Sequence, residues 1–273
     1  MTYKSILVNL DIDGPIAPLT KLAIEFAHSF DARLIGLSAA DFQPPIADAS
    51  GMGIDLDIVD IQIQQIESRL QAVQAEFEAL AGSTVDIQWR SAVRRPTAFL
   101  LEKARMADLV VTSSSGGNLP GNGYRHIDLG SLALHAGRPV FVAGDGVETL
   151  PASRILVAWK DTREARRAVA DALPLLSRAQ EVIVVTIDPE EDSHAQSGLA
   201  DVSDYLARHG IKARTEVIMV KSEGERLTEF ARSIHADIVV SGAYGHSRLR
   251  ELVFGGVTRS LLKDNRLNRF MSS

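Results

Sequence analysis

The sequence predicts an α/β protein of two tandem, doubly wound, mostly parallel five-stranded sheet domains, on three observations. The second half repeats the first: Ser5-Ile-Leu-Val8 matches Arg154-Ile-Leu-Val157, Ala107-Asp-Leu-Val-Val111 matches Ala236-Asp-Ile-Val-Val240, and Gly130-Ser131 matches Gly255-Gly256. Within each copy, short apolar runs alternate with amphipathic stretches, as parallel strands joined by right-handed crossover helices require. A glycine-rich segment follows the apolar run Ile238-Val-Val-Ser-Gly242, where a strand hands the chain to a helix. The repeat is far too long for a solenoid. The expected domains are residues 1–146 and 151–273, with a linker near Gly144 to Ala152.

Composition narrows the functions. A chain of 273 residues that is 45% hydrophobic can bury a real core. A formal net charge of -6, with both signs interspersed, leaves no basic stripe to neutralise nucleic-acid phosphates. With no cysteine, the chain has no disulfide, no thiol redox chemistry and no Cys-based zinc site. Met1 to Leu10 reads as a strand rather than a leader, and nothing approaches the roughly 18 apolar residues of a membrane span. The expectation is a cytoplasmic protein with neither nucleic acid nor membrane as partner.

Several elements can be read directly. Val59, Ile63, Ile66, Leu70, Val73, Phe77 and Leu80 recur by fours and threes and predict one long helix, with Gly82 as its stop. That spacing also suits a coiled-coil seam, but between strands it describes a helix lying on a sheet. Asp161-Thr-Arg-Glu164 opens another helix that Pro174 kinks or ends. Ser222-Glu-Gly-Glu225 has capping-box form ahead of Leu227, Phe230, Ala231 and Ile234. The first copy closes with a clean strand at Pro139-Val-Phe-Val142. The second ends Lys263-Asp-Asn-Arg-Leu-Asn-Arg-Phe-Met-Ser-Ser273, where polar residues interrupt the buried run. Its last strand is therefore doubtful, with Leu267, Phe270 and Met271 seating only a short, frayed one.

The segment from Gly242 to Thr258 carries the chemistry. Gly242 and Gly245 allow backbone N–H groups to converge, and Gly255 and Gly256 leave the start of a following helix bare, which favours an anion. Glycines after a parallel strand also make simple tight turns, and spacing alone does not choose between the two.

Gly242-x2-Gly245-x9-Gly255, followed by Gly256-Val257-Thr258, resembles the nucleotide-binding pattern of the universal stress proteins. The chain as a whole resembles two UspA-like, Rossmann-like domains fused head to tail. The resemblance implies ATP or another adenine nucleotide, with or without Mg²⁺, across the carboxyl ends of the strands, and domain pairing through the last strands. Carried over, Gly242 and Gly245 face ribose and phosphates, while Gly255, Gly256, Val257 and Thr258 cap the phosphate tail. Gly256 stands where the pattern usually has serine, a loss of about 1 kcal/mol of hydrogen bonding to phosphate. Lys160 departs from the acidic residue or Asn common after the first strand. It could pair with phosphate, or Asp161 could take the polar role, although a helix cap explains Asp161 as well. Ile187-Asp188 falls where the adenine-contacting backbone is implied. His246 and Arg248 follow Gly245 closely enough to approach phosphate, and a solvated loop face is the competing reading.

The first copy matches poorly. Ser113 stands in place of the first glycine, and Gly130-Ser131 comes too late for nine-residue spacing, so its site is read as degenerate. Asp11 and Asp13 fit either a Mg²⁺ site or an Asx-type turn before Gly14-Pro15. The other histidines, His28, His126, His135, His194, His209 and His235, show no metal-ligand spacing and read as structural. There is no G-x-x-x-x-G-K-[ST] motif, and Ser114 and Ser115 lack a nucleophile elbow.

The expected function is therefore an ATP-binding, stress-associated sensor or regulator without rapid turnover. Its two domains would form an internal pseudo-dimer that could itself pair as a homodimer. The alternatives are a slow ATPase or nucleotide-dependent transferase, and a scaffold that binds no nucleotide.

Overall fold

The computed structural model describes residues 2–43, 56–114, 123–150, 152–187, 193–218, 223–243 and 256–273. In the first half, β1 (Ser5–Asn9), α1 (Ala17–Phe30), β2 (Arg33–Ala40), α2 (Leu56–Ala81), β3 (Ile87–Val93), α3 (Pro96–Lys103), β4 (Leu109–Ser113), α4 (Leu129–His135) and β5 (Val140–Ala143) follow in order. The second half supplies β6 (Arg154–Ala158), α5 (Arg163–Leu176), β7 (Glu181–Ile187), α6 (Ser193–Arg208), β8 (Ala213–Ile218), α7 (Glu223–Ser233), β9 (Ile238–Gly242), α8 (Gly256–Lys263) and β10 (Asn268–Ser272).

All ten strands form one sheet in the order β3-β2-β1-β4-β5-β10-β9-β6-β7-β8. Each half contributes five strands, parallel throughout, and the halves meet where β10 runs antiparallel to β5. The duplication extends to hydrogen bonding. Asp108 Oδ2 accepts the Lys4 and Ser5 N–H groups at 2.8 and 3.1 Å, and its counterpart Asp237 accepts those of Ser153 and Arg154 at 2.9 and 2.8 Å.

Helices cover both faces, as a doubly wound sheet demands. One cluster runs across both halves, from Phe26 and Phe77 through Phe141 to Phe270, Val169 and Leu206. It makes the seam part of a shared core; Phe26 and Phe141 meet edge to face with centroids 4.9 Å apart. On the opposite face, Phe99, Leu100 and Leu132 pack over the first half, and Leu227, Ala231 and Leu261 over the second. The long helix lies on the sheet as its periodicity predicts, burying Ile66, Leu70, Val73 and Phe77. Gly82 follows with φ 57°, a left-handed stop that a side chain would strain. No helix among the described residues is long and apolar enough to cross a membrane.

Two local expectations are corrected. The last strand of the second half forms fully: Asn268 through Met271 pair with β9, and Arg269 through Met271 pair with β5. It is buried along its length, and its polar side chains find partners on both sides of the strand, Gly144 across the seam and Asp171, Asp237 and Leu261 in its own half. Asn268 accepts from the Gly144 N–H and donates to the Asp237 carbonyl, both at 2.9 Å, and the Ser272 hydroxyl donates to Asp171 at 2.5 Å. Arg269 is fully enclosed and donates through Nη1 to the Leu261 carbonyl at 2.8 Å. Burial pushes its guanidinium down to about 10, partly opposed by Asp264 and Asp145. The second correction concerns α5. Its N-cap is Thr162, whose hydroxyl accepts from the Ala165 N–H at 3.2 Å, while Asp161 pairs with Arg166 at 3.0 Å. Pro174 sits inside the last turn, two residues before the helix ends. The capping box at Ser222 lies outside the described residues.

Candidate functional site

A parallel sheet exposes its binding edge where the strands end and the crossovers begin. In the second half that edge holds a cleft of about 130 Å³ lined by Ala158, Trp159, Lys160, Thr162, Ala165, Val185, Ile187, Leu227, Ser241, Gly242, Gly256, Val257 and Thr258. β6 delivers Ala158 and Lys160, β7 ends at Ile187, β9 ends at Gly242, and α8 begins over them at Gly256. The floor is apolar, from Ala158, Val185, Ile187 and Leu227. The polar part of the lining is the exposed Lys160, Thr162, and the first turn of α8 with its buried Thr258. Apolar walls beneath a cation and a helix start suit a ligand with a flat, weakly polar body and an anionic tail.

Of the residues expected from sequence, Lys160, Ile187, Gly242, Gly256, Val257 and Thr258 come together in this cleft. Asp161 does not line it. Gly245, His246, Arg248, Gly255 and Asp188 lie outside the described residues. Gly242 has a packing reason to be glycine: a Cβ there would come within 2.6 Å of the Ala165 nitrogen and 2.7 Å of the Glu164 carbonyl carbon. Strand β9 can reach the start of α5 only without a side chain at that position. A Cβ at Gly256 would meet nothing within 4 Å.

Sequence reasoning did not assign to the site Ala158, Trp159, Thr162, Ala165, Val185, Leu227 or Ser241, all of which line the cleft. Leu227 was read only as part of an apolar helix face. Ser241 is 2% exposed, lines the cleft, and its hydroxyl has no hydrogen-bond partner among the described residues.

At the corresponding edge of the first half, the described polar side chains pair with one another. Asp11 accepts the Asp13 N–H at 2.9 Å, the expected Asx-type turn, and its other oxygen lies 2.6 Å from His126 Nδ1. Asp13 is bound by Arg125, whose hydrogen bonds hold its carboxyl below the usual range. Asp11, Asp13 and His126 lie close enough together to share a cation. The arginine already neutralises one carboxylate, and the imidazole already pairs with the other. At α4, the Asp128 side chain accepts from the Ser131 N–H, placing a carboxylate of the chain at the helix start. Ser114 donates to Asp145 at 2.9 Å. Residues 115–122 lie outside the described residues.

Comparison with known proteins agrees with this fold. Residues 151–264 match the model of the Universal stress protein family. An 81-residue stretch, 30% of this chain, is 30% identical to Universal stress protein Slr1230 of Synechocystis sp. (strain ATCC 27184 / PCC 6803 / Kazusa), and the match spans 28% of that relative's length. Among solved structures, a universal stress protein from Archaeoglobus fulgidus DSM 4304 superposes with a TM-score of 0.71 at 15% identity, covering 98% of this chain and 96% of its own. A functionally unknown protein from Pseudomonas aeruginosa PAO1 gives a TM-score of 0.62 at 15% identity, covering 99% and 92%. At such identities these two structures speak for the fold alone. Residues 151–264 thus match the universal stress protein family, and the chain has a UspA-like α/β fold in two tandem domains.

Proposed function

We propose that the second half binds an adenine nucleotide, with ATP as its first candidate, and that the protein acts in the cytoplasm as a stress-associated sensor or regulator. The observation that carries this reading is the cleft at the ends of β6, β7 and β9, where Lys160, Ile187, Gly242 and the first turn of α8 meet over an apolar floor. Its residues fit such a ligand: the floor takes a heterocycle, and Lys160 with the α8 N–H groups takes phosphate. Mg²⁺, where present, would ride on the phosphates. Among the described residues lining the cleft there is no carboxylate or imidazole to serve as a general base, and this reading puts binding ahead of turnover. In this reading residues 1–146 and 151–273 are the two domains, joined through β5 and β10 as an internal pseudo-dimer, and the first domain carries a degenerate site. Assembly into a homodimer would leave that seam unchanged.

Mass spectrometry of gently purified, then denatured protein, with ATP titration in the presence and absence of Mg²⁺, tests the reading. Saturable ATP binding near one per chain, lost in Gly255→Val with the fold intact, is the expected result. ADP formed on incubation would advance the slow ATPase. No retained nucleotide and no binding would leave a scaffold.

A further inference from the structure

The duplication allows each position in the second cleft to be compared with its counterpart in the first half. Ile155 through Val157 pair with Ile238 through Val240 as Ile6 through Val8 pair with Leu109 through Val111. One residue further along, Ser241 and Ala158 are neighbours across β9 and β6, and their counterparts are Thr112 and Asn9. Both hydroxyl residues are buried, Thr112 at 0% and Ser241 at 2% exposure. In the first half the Thr112 hydroxyl is satisfied: it accepts from Asn9 Nδ2 at 3.3 Å. In the second half the amide is replaced by the methyl group of Ala158, and the Ser241 hydroxyl has no partner among the described residues. Replacing asparagine by alanine also removes the side chain that would fill this corner, and both Ala158 and Ser241 line the cleft.

A buried, unpaired hydroxyl is costly, and one bordering an apolar cleft finds its partner when a ligand enters. We propose that Ser241 is a specificity residue for the nucleoside part of the ligand. Its hydroxyl makes the one hydrogen bond from the apolar floor to a polar atom of the nucleoside, while α8 and Lys160 hold the phosphates. This rests on the nucleotide reading above and deepens it: the missing partner of Ser241 lies in the ligand, where the first half supplies it from Asn9. A site built to hydrogen-bond a ligand edge rejects analogues lacking that edge more strongly than an apolar pocket can.

The test is calorimetric titration of the full chain with ATP and with adenosine, in the wild type, Ser241→Ala and Ala158→Asn, alongside thermal melts without ligand. Ser241→Ala is expected to weaken both ligands by about two- to tenfold. Its ligand-free melting temperature should be unchanged or higher, since no internal bond is lost. Ala158→Asn should rebuild the Asn9–Thr112 arrangement, fill the corner and abolish binding of both ligands without lowering the melting temperature. Unchanged affinities in Ser241→Ala overturn the inference and leave the nucleotide reading standing. Loss confined to ATP also overturns it, because the contact would then lie on phosphate. A lower ligand-free melting temperature in Ser241→Ala with unchanged affinities would mark a purely structural hydroxyl. A wild type that binds neither ligand overturns both readings.

Discussion

The carboxyl-terminal edges of the two halves start from the same strand pairing and end in different side chains. In the first half, Asp11 meets His126, Asp13 meets Arg125, and Asp128 caps the start of α4, so these three carboxylates at the edge are each answered from the same chain. In the second half, the corresponding edge is an apolar cleft under a cation and a glycine-started helix, with one buried hydroxyl left over. A duplicated fold can thus keep its strand register and its Asp108 and Asp237 anchors while the side chains at the strand ends diverge. The scaffold is fixed by the buried strands. The site depends on a few side chains at their ends, which can change with little cost to the core.

The comparison is broken most severely at Gly242, whose counterpart is Ser113. A methyl group at Gly242 would press into the backbone of Glu164 and Ala165 at the start of α5. Gly242→Ala should destabilise the fold by about 1–3 kcal/mol, as overpacking against an unyielding element does, and weaken ATP binding through displacement of α5. Ser113→Gly should cost no more than about 1 kcal/mol and leave binding alone. Chemical denaturation with paired ATP titrations measures both. Equal destabilisation by the two would remove the asymmetry. Next in size is Asp128→Ala, which uncaps α4 and should cost about 0.5–2 kcal/mol in the same denaturation assay. ATP affinity should not move, since the cap belongs to the other half; a change would show that the first edge takes part in the site.

Much of this organisation could be read in the chain itself. The repeat was visible because buried strands tolerate few changes: Ile-Leu-Val and Ala-Asp recur at matching places. The long helix followed from its apolar spacing, and six expected cleft residues converge because they lie at strand ends and a helix start. β10 was doubtful because Asn268, Arg269 and Ser272 break the apolar pattern. The bonds of Asn268 to Gly144 and Asp237 and of Ser272 to Asp171 join segments far apart in sequence, which no local pattern records. Asp161 was offered as a cap because aspartate and threonine serve equally at that position; backbone geometry gave the role to Thr162. His126 showed no local ligand spacing, since its partner Asp11 is 115 residues away. Ser241 did leave a signal, namely the pairing of Ala158 with serine where the first copy pairs Asn9 with threonine. It becomes legible only once the two copies are aligned strand by strand.

The smallest expected effect sharpens the comparison from the other side. Gly256 opens α8 at the rim of the cleft, a Cβ there meets nothing within 4 Å, and its φ is not in the left-handed region. Gly256→Ser should therefore enter without strain and change stability by only a few tenths of a kcal/mol, as polar side chains at helix starts do. What it adds is a hydroxyl beside the first N–H groups of the helix, where the nucleotide reading puts phosphate. One such hydrogen bond is worth about 1 kcal/mol, or about fivefold in affinity. ATP should bind about fivefold more tightly and adenosine no differently, because the gain depends on the phosphates. Calorimetry with both ligands reads this directly. An equal gain for adenosine would place the nucleoside, not the phosphates, at α8. No gain for either would mean that the helix start does not touch the ligand, and the anion would then have to be held by Lys160 and by residues ahead of Gly256.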